Sequence, residues 1–497
     1  ILAQAKVALG PRSFRKTNCP PYCHSAAPRR AMDRARAAGR MVPRVVWAPL
    51  SVALSLAVSA YDSPDAECPF LDVHDDASMA QLQLRSGRRF ASGPAAGAAG
   101  ADLEVSQAAL AADLQAQFEV VPKSGVRGWL GADAAASVVV GGGRTGRRAL
   151  WLFSDTLFGE FDGNAQTRVV KGRQMPHSTV ALIECTNTTC GGRPTFYARP
   201  NGTAPAPGKL QVQSFFRPPR EQEVLGQHLW PVAAIAARDG KSVIGLAIRF
   251  SGTDLATLVV YGATAIIITG VADRDDPRDW NYTTYDFGRT GWNWFSAIGY
   301  AEAQGDALYI WGHFGNDKSK TYLARGAYSR LLAGDFECLQ YWTGAERASG
   351  AFAPWVDEGK RLLAIGTPSW EATFDWSEPL GVWYTFYMDA IAPTDIYMWT
   401  AKKMTGPWSQ THIFAVPAPF GTPGSGWMCY ATKAHPELAA PANGTSVELV
   451  LTYVCNVANN GIEPLYDNLS MFWPTRGYWP NILRLRATAH PQRAEIA

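Results

Sequence analysis

The chain has 497 residues, of which 18% are charged and 11% are aromatic. This composition excludes an intrinsically disordered protein, and the 46 Gly and 33 Pro suit short strands joined by tight turns. The net charge of +3 is unevenly spread, because positions 1–44 carry ten Lys or Arg and one acid, which leaves 36 basic and 42 acidic side chains downstream. The body of the chain is therefore mildly acidic, which argues against nucleic-acid binding.

Positions 1–60 are predicted to hold an upstream basic segment and a signal peptide. Met41 begins the signal, Arg44 supplies its charge, Val45–Val58 form its apolar core, and Val58-Ser59-Ala60 is a small-residue cleavage motif. The apolar run is too short to span a bilayer, so a retained anchor is the weaker alternative. We therefore expect a secreted, extracellular or cell-wall protein.

Two further features agree with secretion. Five Asn-x-Ser/Thr motifs provide sites for glycosylation, at Asn187, Asn201, Asn281, Asn443 and Asn468. Six Cys follow the signal, and an even number in an oxidising compartment predicts disulfides. Cys185 and Cys190 flank a tight polar turn, whereas Cys429 and Cys455 lie on runs that resemble paired strands. Neither pair has a metal-site spacing with His.

The rest of the chain divides into three parts. Positions 61–125 form an irregular Ala- and Gly-rich lead-in, with a helical pattern around Leu103–Phe118, and we expect it to pack outside the main domain. Positions 126–488 repeat a theme of apolar run, turn, apolar run and polar loop, and 489–497 are a tail. The five repeats recur at roughly 50–75 residues, which predicts an all-β, five-bladed β-propeller. A pair of β-sandwich domains is the alternative.

Two aspartates stand at the tips of strand-like runs in the first repeat. Asp133 follows Gly128–Ala132, and Asp155 closes the apolar run Ala149–Ser154. An antiparallel hairpin would bring both carboxylates to one end of a sheet, as glycoside hydrolysis requires of its acid and its base or nucleophile. Each aspartate by itself also fits the cap of a turn.

These segments carry a resemblance to a known group. Gly131-Ala132-Asp133 with Trp151–Thr156 resembles the opening of five-bladed propellers catalogued as domains of unknown function, which are related to arabinanase and β-fructosidase glycoside hydrolases. Three further segments share it: Trp230-Pro231 opening a blade, Lys403–Trp408 closing one and Ala434–Leu438 opening the last. The similarity covers about positions 125–488.

The resemblance implies an activity. One branch of that group contains enzymes that cut D-arabinan with two first-blade aspartates, which correspond by position to Asp133 and Asp155. We assign the base or nucleophile role to Asp133 and the acid role to Asp155, although the sequence leaves the reverse open. The chain departs from that branch in its cysteines, its signal and its long loops at 200–226 and 273–293. The hypothesis is a secreted glycosidase acting on furanose-containing, arabinan-like polysaccharide; the alternative is a non-catalytic carbohydrate-binding or cell-surface adhesion propeller.

Further candidates for substrate binding lie near the starts of the predicted blades. His177 could bond a sugar hydroxyl or orient a carboxylate, and aromatic faces could stack on sugars. Each candidate has a structural alternative: a satisfied core histidine, a solvated loop acid or core packing. The predicted substrate-binding set is His177, Trp230, Trp294, Trp370, Glu371, His435 and Glu437, with Asp375 as another possible third acid and Trp129 as another stacking candidate.

We predict no cofactor, since the sequence has no nucleotide, flavin or haem motif. A metal set is not predicted either, although the channel of a propeller could hold a structural calcium. The expected partner is a polysaccharide or oligosaccharide, with no nucleic acid and no membrane span, and the protein is expected to be a monomer.

Overall fold

The computed structural model describes residues 103–118, 127–141, 146–162, 167–186, 188–200, 212–252, 257–287, 292–300, 307–314, 320–343, 352–354, 366, 371–388, 395–418, 420–422, 427–457 and 477–490. Its strands, numbered in chain order, are β1 (Leu103–Val105), β2 (Ala109–Leu110), β3 (Arg127–Ala132), β4 (Ala136–Gly141), β5 (Arg147–Phe153), β6 (Thr156–Asp162), β7 (Thr167–Gln174), β8 (Thr179–Glu184), β9 (Thr195–Tyr197), β10 (Arg199–Pro200), β11 (Val212–Gln213), β12 (Gln227–Ala236), β13 (Ser242–Ser251), β14 (Val259–Thr269), β15 (Asn281–Phe287), β16 (Trp292–Tyr300), β17 (Ala307–Phe314), β18 (Tyr322–Ala327), β19 (Gln340–Trp342), β20 (Phe352–Pro354), β21 (Phe374–Ser377), β22 (Val382–Met388), β23 (Asp395–Ala401), β24 (Ser409–Ala415), β25 (Trp427–Ala434), β26 (Ser446–Val457) and β27 (Asn481–Ala489). The helices are α1 (Ala112–Phe118), α2 (Arg220–Glu223) and α3 (Tyr328–Leu332), with short 3-10 helices at Pro277–Asp279, Phe336–Cys338 and Pro436–Leu438. Within these ranges, no helix is long and apolar enough to cross a bilayer.

Five antiparallel sheets form the blades. Their strand orders are β4-β5-β8-β9, β12-β13-β14-β15, β16-β17-β18-β19-β20, β21-β22-β23-β24 and β25-β26-β27-β1. First strands of successive blades contact one another, β4 with β12, β12 with β16, and β16 with β21. The first strands therefore line the centre, and the predicted five-bladed propeller is confirmed.

The core consists of layers between the blades rather than one central mass. Five buried clusters join blade one to two, two to three, three to four, four to five, and five back to one. In the third of these layers, Trp311 of β17 stacks on Phe374 of β21 at 4.7 Å between ring centroids and 8° between planes. Because each sheet buries both faces against its neighbours, the strands carry long apolar runs rather than a strict alternation.

The lead-in closes the ring. β1 and β2 both pair with β27, so they cover the edge of the fifth blade. Helix α1 bridges to the first blade, since Phe118 packs on Trp151 at 4.6 Å between ring centroids. The helical pattern predicted around Leu103–Phe118 therefore holds only from Ala112, because the free edge of β27 takes the earlier residues as strands.

Two predicted disulfides are present, Cys185–Cys190 and Cys429–Cys455. The second joins directly opposed residues of β25 and β26. Such bonds are compatible with an oxidising, extracellular setting.

The segment 273–293 and the start of blade four were both described differently from the sequence. The long loop predicted at 273–293 contains β15, the outer strand of blade two. In blade four, β21 at Phe374–Ser377 is the first strand. The sequence predicts the start of this blade near Gly366–Trp370, and positions 367–370 lie outside the described residues.

Candidate active site

The first blade brings Asp133 and Asp155 side by side. Asp133 follows β3 and Asp155 precedes β6, and these strands pair so that Ala132 lies opposite Thr156. The Asp133 amide donates to the Asp155 carbonyl at 3.3 Å, and the Ser154 amide donates to the Asp133 carbonyl at 3.2 Å. The predicted hairpin is formed by β4, which follows Asp133, and β5, which precedes Asp155. Both aspartates thus stand where the chain crosses between two sheets.

The crossing has an unusual backbone. Ala134 and Ala135, which join β3 to β4, have φ angles of 65° and 50°. The left-handed region costs a residue with a Cβ about 1–2 kcal/mol. Both alanines are buried, so the surrounding packing holds them there. Strain of this kind is often stored where a side chain must be aimed.

The carboxyl group of Asp133 is held in a buried site. Its Oδ2 accepts hydrogen bonds from the Tyr430 hydroxyl at 2.8 Å and the Tyr478 hydroxyl at 3.1 Å. Its Oδ1 is buried with no hydrogen-bond partner among the described residues. Burial, followed by the charges of Asp155 and Glu371, raises the pKa of Asp133 well above its usual range, against the opposing effect of the two tyrosines.

The carboxyl group of Asp155 has a different environment. Its Oδ1 accepts from the Trp230 indole Nε1–H at 2.7 Å and lies 2.7 Å from His177 Nδ1. Trp230 is itself fixed by stacking on Phe250, at 3.6 Å between ring centroids. The carboxylate of Asp155 is thus oriented by two side chains, Trp230 and His177.

A buried lysine and a third acid complete the centre. Lys433 of β25 is fully buried, and its Nζ donates to the Val232 carbonyl of β12 at 2.6 Å. Burial lowers the pKa of Lys433 to about 8, although the charges of Glu371 and Asp133 act to raise it. Glu371 therefore lies close enough to interact with both Lys433 and Asp133. Its φ of 51° is left-handed, as are those of Ala431 and Tyr478.

His435 and Glu437 belong to a separate buried network. Ser137 Oγ lies 2.6 Å from both Glu437 Oε1 and His435 Nδ1. Because one hydroxyl has one proton, which the carboxylate accepts, His435 Nδ1–H must donate to Ser137. The imidazole stacks on Trp151 at 4.1 Å between centroids. These contacts join blade five to blade one; the predicted substrate contact of His435 and Glu437 stays a prediction.

The remaining candidates are dispersed. Trp129 is buried and stacks on Phe196 at 4.0 Å between centroids, so it packs in the core. Trp294 lies in β16, but its side chain is outside the described residues, as is all of Trp370. Burial raises the pKa of Asp375 to about 7, with a further contribution from Glu437, so Asp375 lies toward the Glu437 network.

Comparisons with known proteins place the chain in a family. A family model described as Domain of unknown function (DUF5005) matches residues 123–485. The chain belongs to this family. No curated protein matches it.

Three solved structures are similar to this chain to different degrees. A proposed hydrolase from Bacteroides ovatus is 16% identical, with a TM-score of 0.56, over 78% of this chain and 94% of that one. An α-L-arabinofuranosidase from Podospora anserina is 9% identical, with a TM-score of 0.35, over 75% and 95% of the two chains. A GH43_1 enzyme from Xanthomonas citri is 11% identical, with a TM-score of 0.34, over 78% and 96%. The first of these similarities shows a common fold.

Four residues of the site in this DUF5005 member were not predicted from its sequence: Tyr430, Tyr478, Lys433 and His228. The His228 ring lies 4.1 Å from that of His177, centroid to centroid. One signal was available, because His228 and Trp230 alternate along β12 and must share a face. No local pattern marks the two tyrosines or the lysine.

Across the part of the chain that the structure describes, no group of three or more His, Cys, Asp or Glu side chains is arranged to hold a metal ion.

Proposed function

We propose that this protein is a secreted glycoside hydrolase that cleaves furanose-containing, arabinan-like polysaccharide with Asp133 and Asp155. The observation that carries the proposal is the pairing of two neighbouring carboxyl groups in unlike environments. One is buried beside negative charge, and the other accepts an indole and an imidazole hydrogen bond. A carboxyl group with a raised pKa beside a second carboxyl group is what acid–base cleavage of a glycosidic bond needs.

The environments favour a division of roles opposite to the one assigned from sequence. Burial raises the pKa of Asp133 well above its usual range, as a proton donor requires, so it acts as the general acid. Its Oδ2 is occupied by two tyrosine hydroxyls, which leaves Oδ1 to carry the proton. Asp155 acts as the base that activates water, or as the nucleophile. In either case the proton passes to the leaving sugar oxygen as the glycosidic C–O bond breaks.

Secretion belongs to the same proposal. Two disulfides are present, and two of the predicted glycosylation sites, Asn281 and Asn443, are exposed. A signal peptide ending near Ala60 would deliver the chain to a compartment where such bonds form. The arabinan-like substrate rests on the family resemblance of the Asp133 and Asp155 segments.

One observation favours a second candidate, a non-catalytic carbohydrate-binding propeller. Asp133 Oδ1 is buried, although a general acid must reach the sugar oxygen. Adhesion through the same surface is a variant of this candidate. The two functions differ in whether bonds are cleaved, so a single experiment separates them.

That experiment offers the secreted protein arabinans, fructans, and plant and algal wall glycans, and measures oligosaccharide release. Asp133→Asn and Asp155→Asn are compared with Asp275→Asn, whose side chain is 74% exposed. Each site variant should lose roughly 10²–10⁴-fold of the rate, and the control should keep it. Release that survives both site changes refutes the proposal, whereas binding without release by the unmodified protein establishes the second candidate.

A further inference from the structure

A cavity of about 450 Å³ opens beside Asp155, between the first and second blades. It is lined by the segment from Gln174 to His177, by residues 212–214 and 216–218, and by Glu223, His228 and Leu229. His177 connects it to the proposed catalytic pair, because the same imidazole lies 2.7 Å from Asp155 Oδ1. The volume falls within the roughly 300–1,000 Å³ of pockets that bind small ligands.

Two imidazoles face one another in the cavity lining. The bond to Asp155 uses Nδ1 of His177, which leaves Nε2 for another partner. His228 is half-buried, and its ring nitrogens make no hydrogen bond to the described residues. Burial, with the neighbouring His177, lowers the pKa of His228 to about 4. At neutral pH, His228 therefore offers one N–H donor and one nitrogen acceptor.

The Arg and Glu side chains that line the cavity pair with each other. Arg217 donates to Glu223 Oε1 at 3.2 Å and to Gln213 Oε1 at 3.2 Å. Ser214 Oγ accepts from the His177 amide at 2.9 Å, which fixes the position of that segment. Phe216 and Leu229 add apolar surface. A lining with paired charge, a neutral His228 imidazole and apolar area suits an uncharged ligand with many hydroxyl groups rather than an acidic one.

We propose that this cavity is a subsite that binds one neutral monosaccharide unit of the polysaccharide lying across Asp155, with His228 as the residue that recognises its hydroxyl groups. The proposal rests on carbohydrate being the ligand of the propeller, and it adds the site, its contact residue and the exclusion of uronic acids. His228 is a binding residue and takes no part in bond cleavage.

The test uses the Asp133→Asn protein, so that hydrolysis does not consume the probes. Linear trisaccharides of arabinofuranose, of fructofuranose and of galactopyranose are the neutral probes, and trigalacturonate is the charged comparison. Binding is measured by calorimetry, and the ¹⁵N signals of the histidine rings are followed during each titration. His228→Leu, with His412→Leu as the matched control on the exposed strand β24, is made in the same background.

At least one neutral trisaccharide should shift the His228 signals, leave those of His412 unmoved and bind about 3- to 10-fold more weakly to His228→Leu, the range for one neutral hydrogen bond. Binding of a neutral probe that leaves His228 unmoved overturns the subsite alone. Preferential binding of trigalacturonate overturns the assignment of a neutral ligand. Shifts at His228 without hydrolysis by the unmodified protein keep the subsite and reject the glycosidase, whereas no binding of any probe rejects the subsite even if hydrolysis is found.

Discussion

Lys433→Met should change how stability depends on pH, because the lysine is buried at the centre of the propeller. Its side chain is fully buried, and its Nζ donates to the Val232 carbonyl at 2.6 Å. Burial lowers its pKa from 10.5 to about 8 in the folded protein. Between these two values, the unfolded chain binds a proton that the folded protein lacks, so the free energy of unfolding rises with pH.

The magnitude follows from the size of the shift. The pKa of Lys433 differs by about 2.5 between the unfolded and folded states, which corresponds to a destabilisation of about 3 kcal/mol. This destabilisation is fully present below pH 8 and is absent above pH 10.5. Between pH 7 and pH 9.5, about 2 kcal/mol of that should be recovered. Methionine cannot titrate, so the variant lacks this recovery. It also leaves the Val232 carbonyl without its donor, which adds an offset that does not vary with pH.

Urea unfolding of both proteins at several pH values checks the prediction. The free energy of unfolding of the unmodified protein, minus that of Lys433→Met, should grow by about 2 kcal/mol from pH 7 to pH 9.5. Lys241→Met, at an exposed turn of blade two, is the matched control and should give a constant difference. If the two curves for Lys433 run parallel, the side chain is not a buried titrating amine, and the account of the Asp133 environment fails with it.

Two further predictions concern single side chains. Trp230→Phe removes the indole donor to Asp155. Because a hydrogen bond to a charged group contributes about 1.5–3 kcal/mol, kcat/KM should fall roughly 10- to 100-fold. The control is Trp399→Phe, whose Nε1 has no partner among the described residues and which should leave kcat/KM unchanged; an unaltered kcat/KM in Trp230→Phe would separate Trp230 from catalysis. Asp375→Asn removes an acid whose pKa burial raises from 3.8 to about 7. The unmodified protein should therefore lose about 3 kcal/mol of stability between pH 4 and pH 7 that the variant keeps. Equal pH slopes of the two proteins in thermal or urea unfolding would contradict this.

The sequence predicted the architecture because propeller blades repeat. Each blade needs several short apolar strands separated by turns, and this spacing is visible along the chain. The sequence could not reveal β15, an outer edge strand in which buried and exposed side chains alternate only weakly. It could not reveal the pairing of the lead-in with β27 either. The partner of β1 and β2 lies at the opposite end of the domain in sequence.

The neighbouring positions of Asp133 and Asp155 were also open to prediction, since a local hairpin and the pairing of β3 with β6 involve only about one blade. The environment of each aspartate was not. Tyr430 and Tyr478 reach Asp133 from 297 and 345 positions away, and Trp230 reaches Asp155 from the next blade. Strand pattern and turn chemistry are local, so the chain alone fixes which backbone segments lie together. Proton affinity depends on burial and on charges that converge from several blades, so only the closed ring raises the pKa of Asp133.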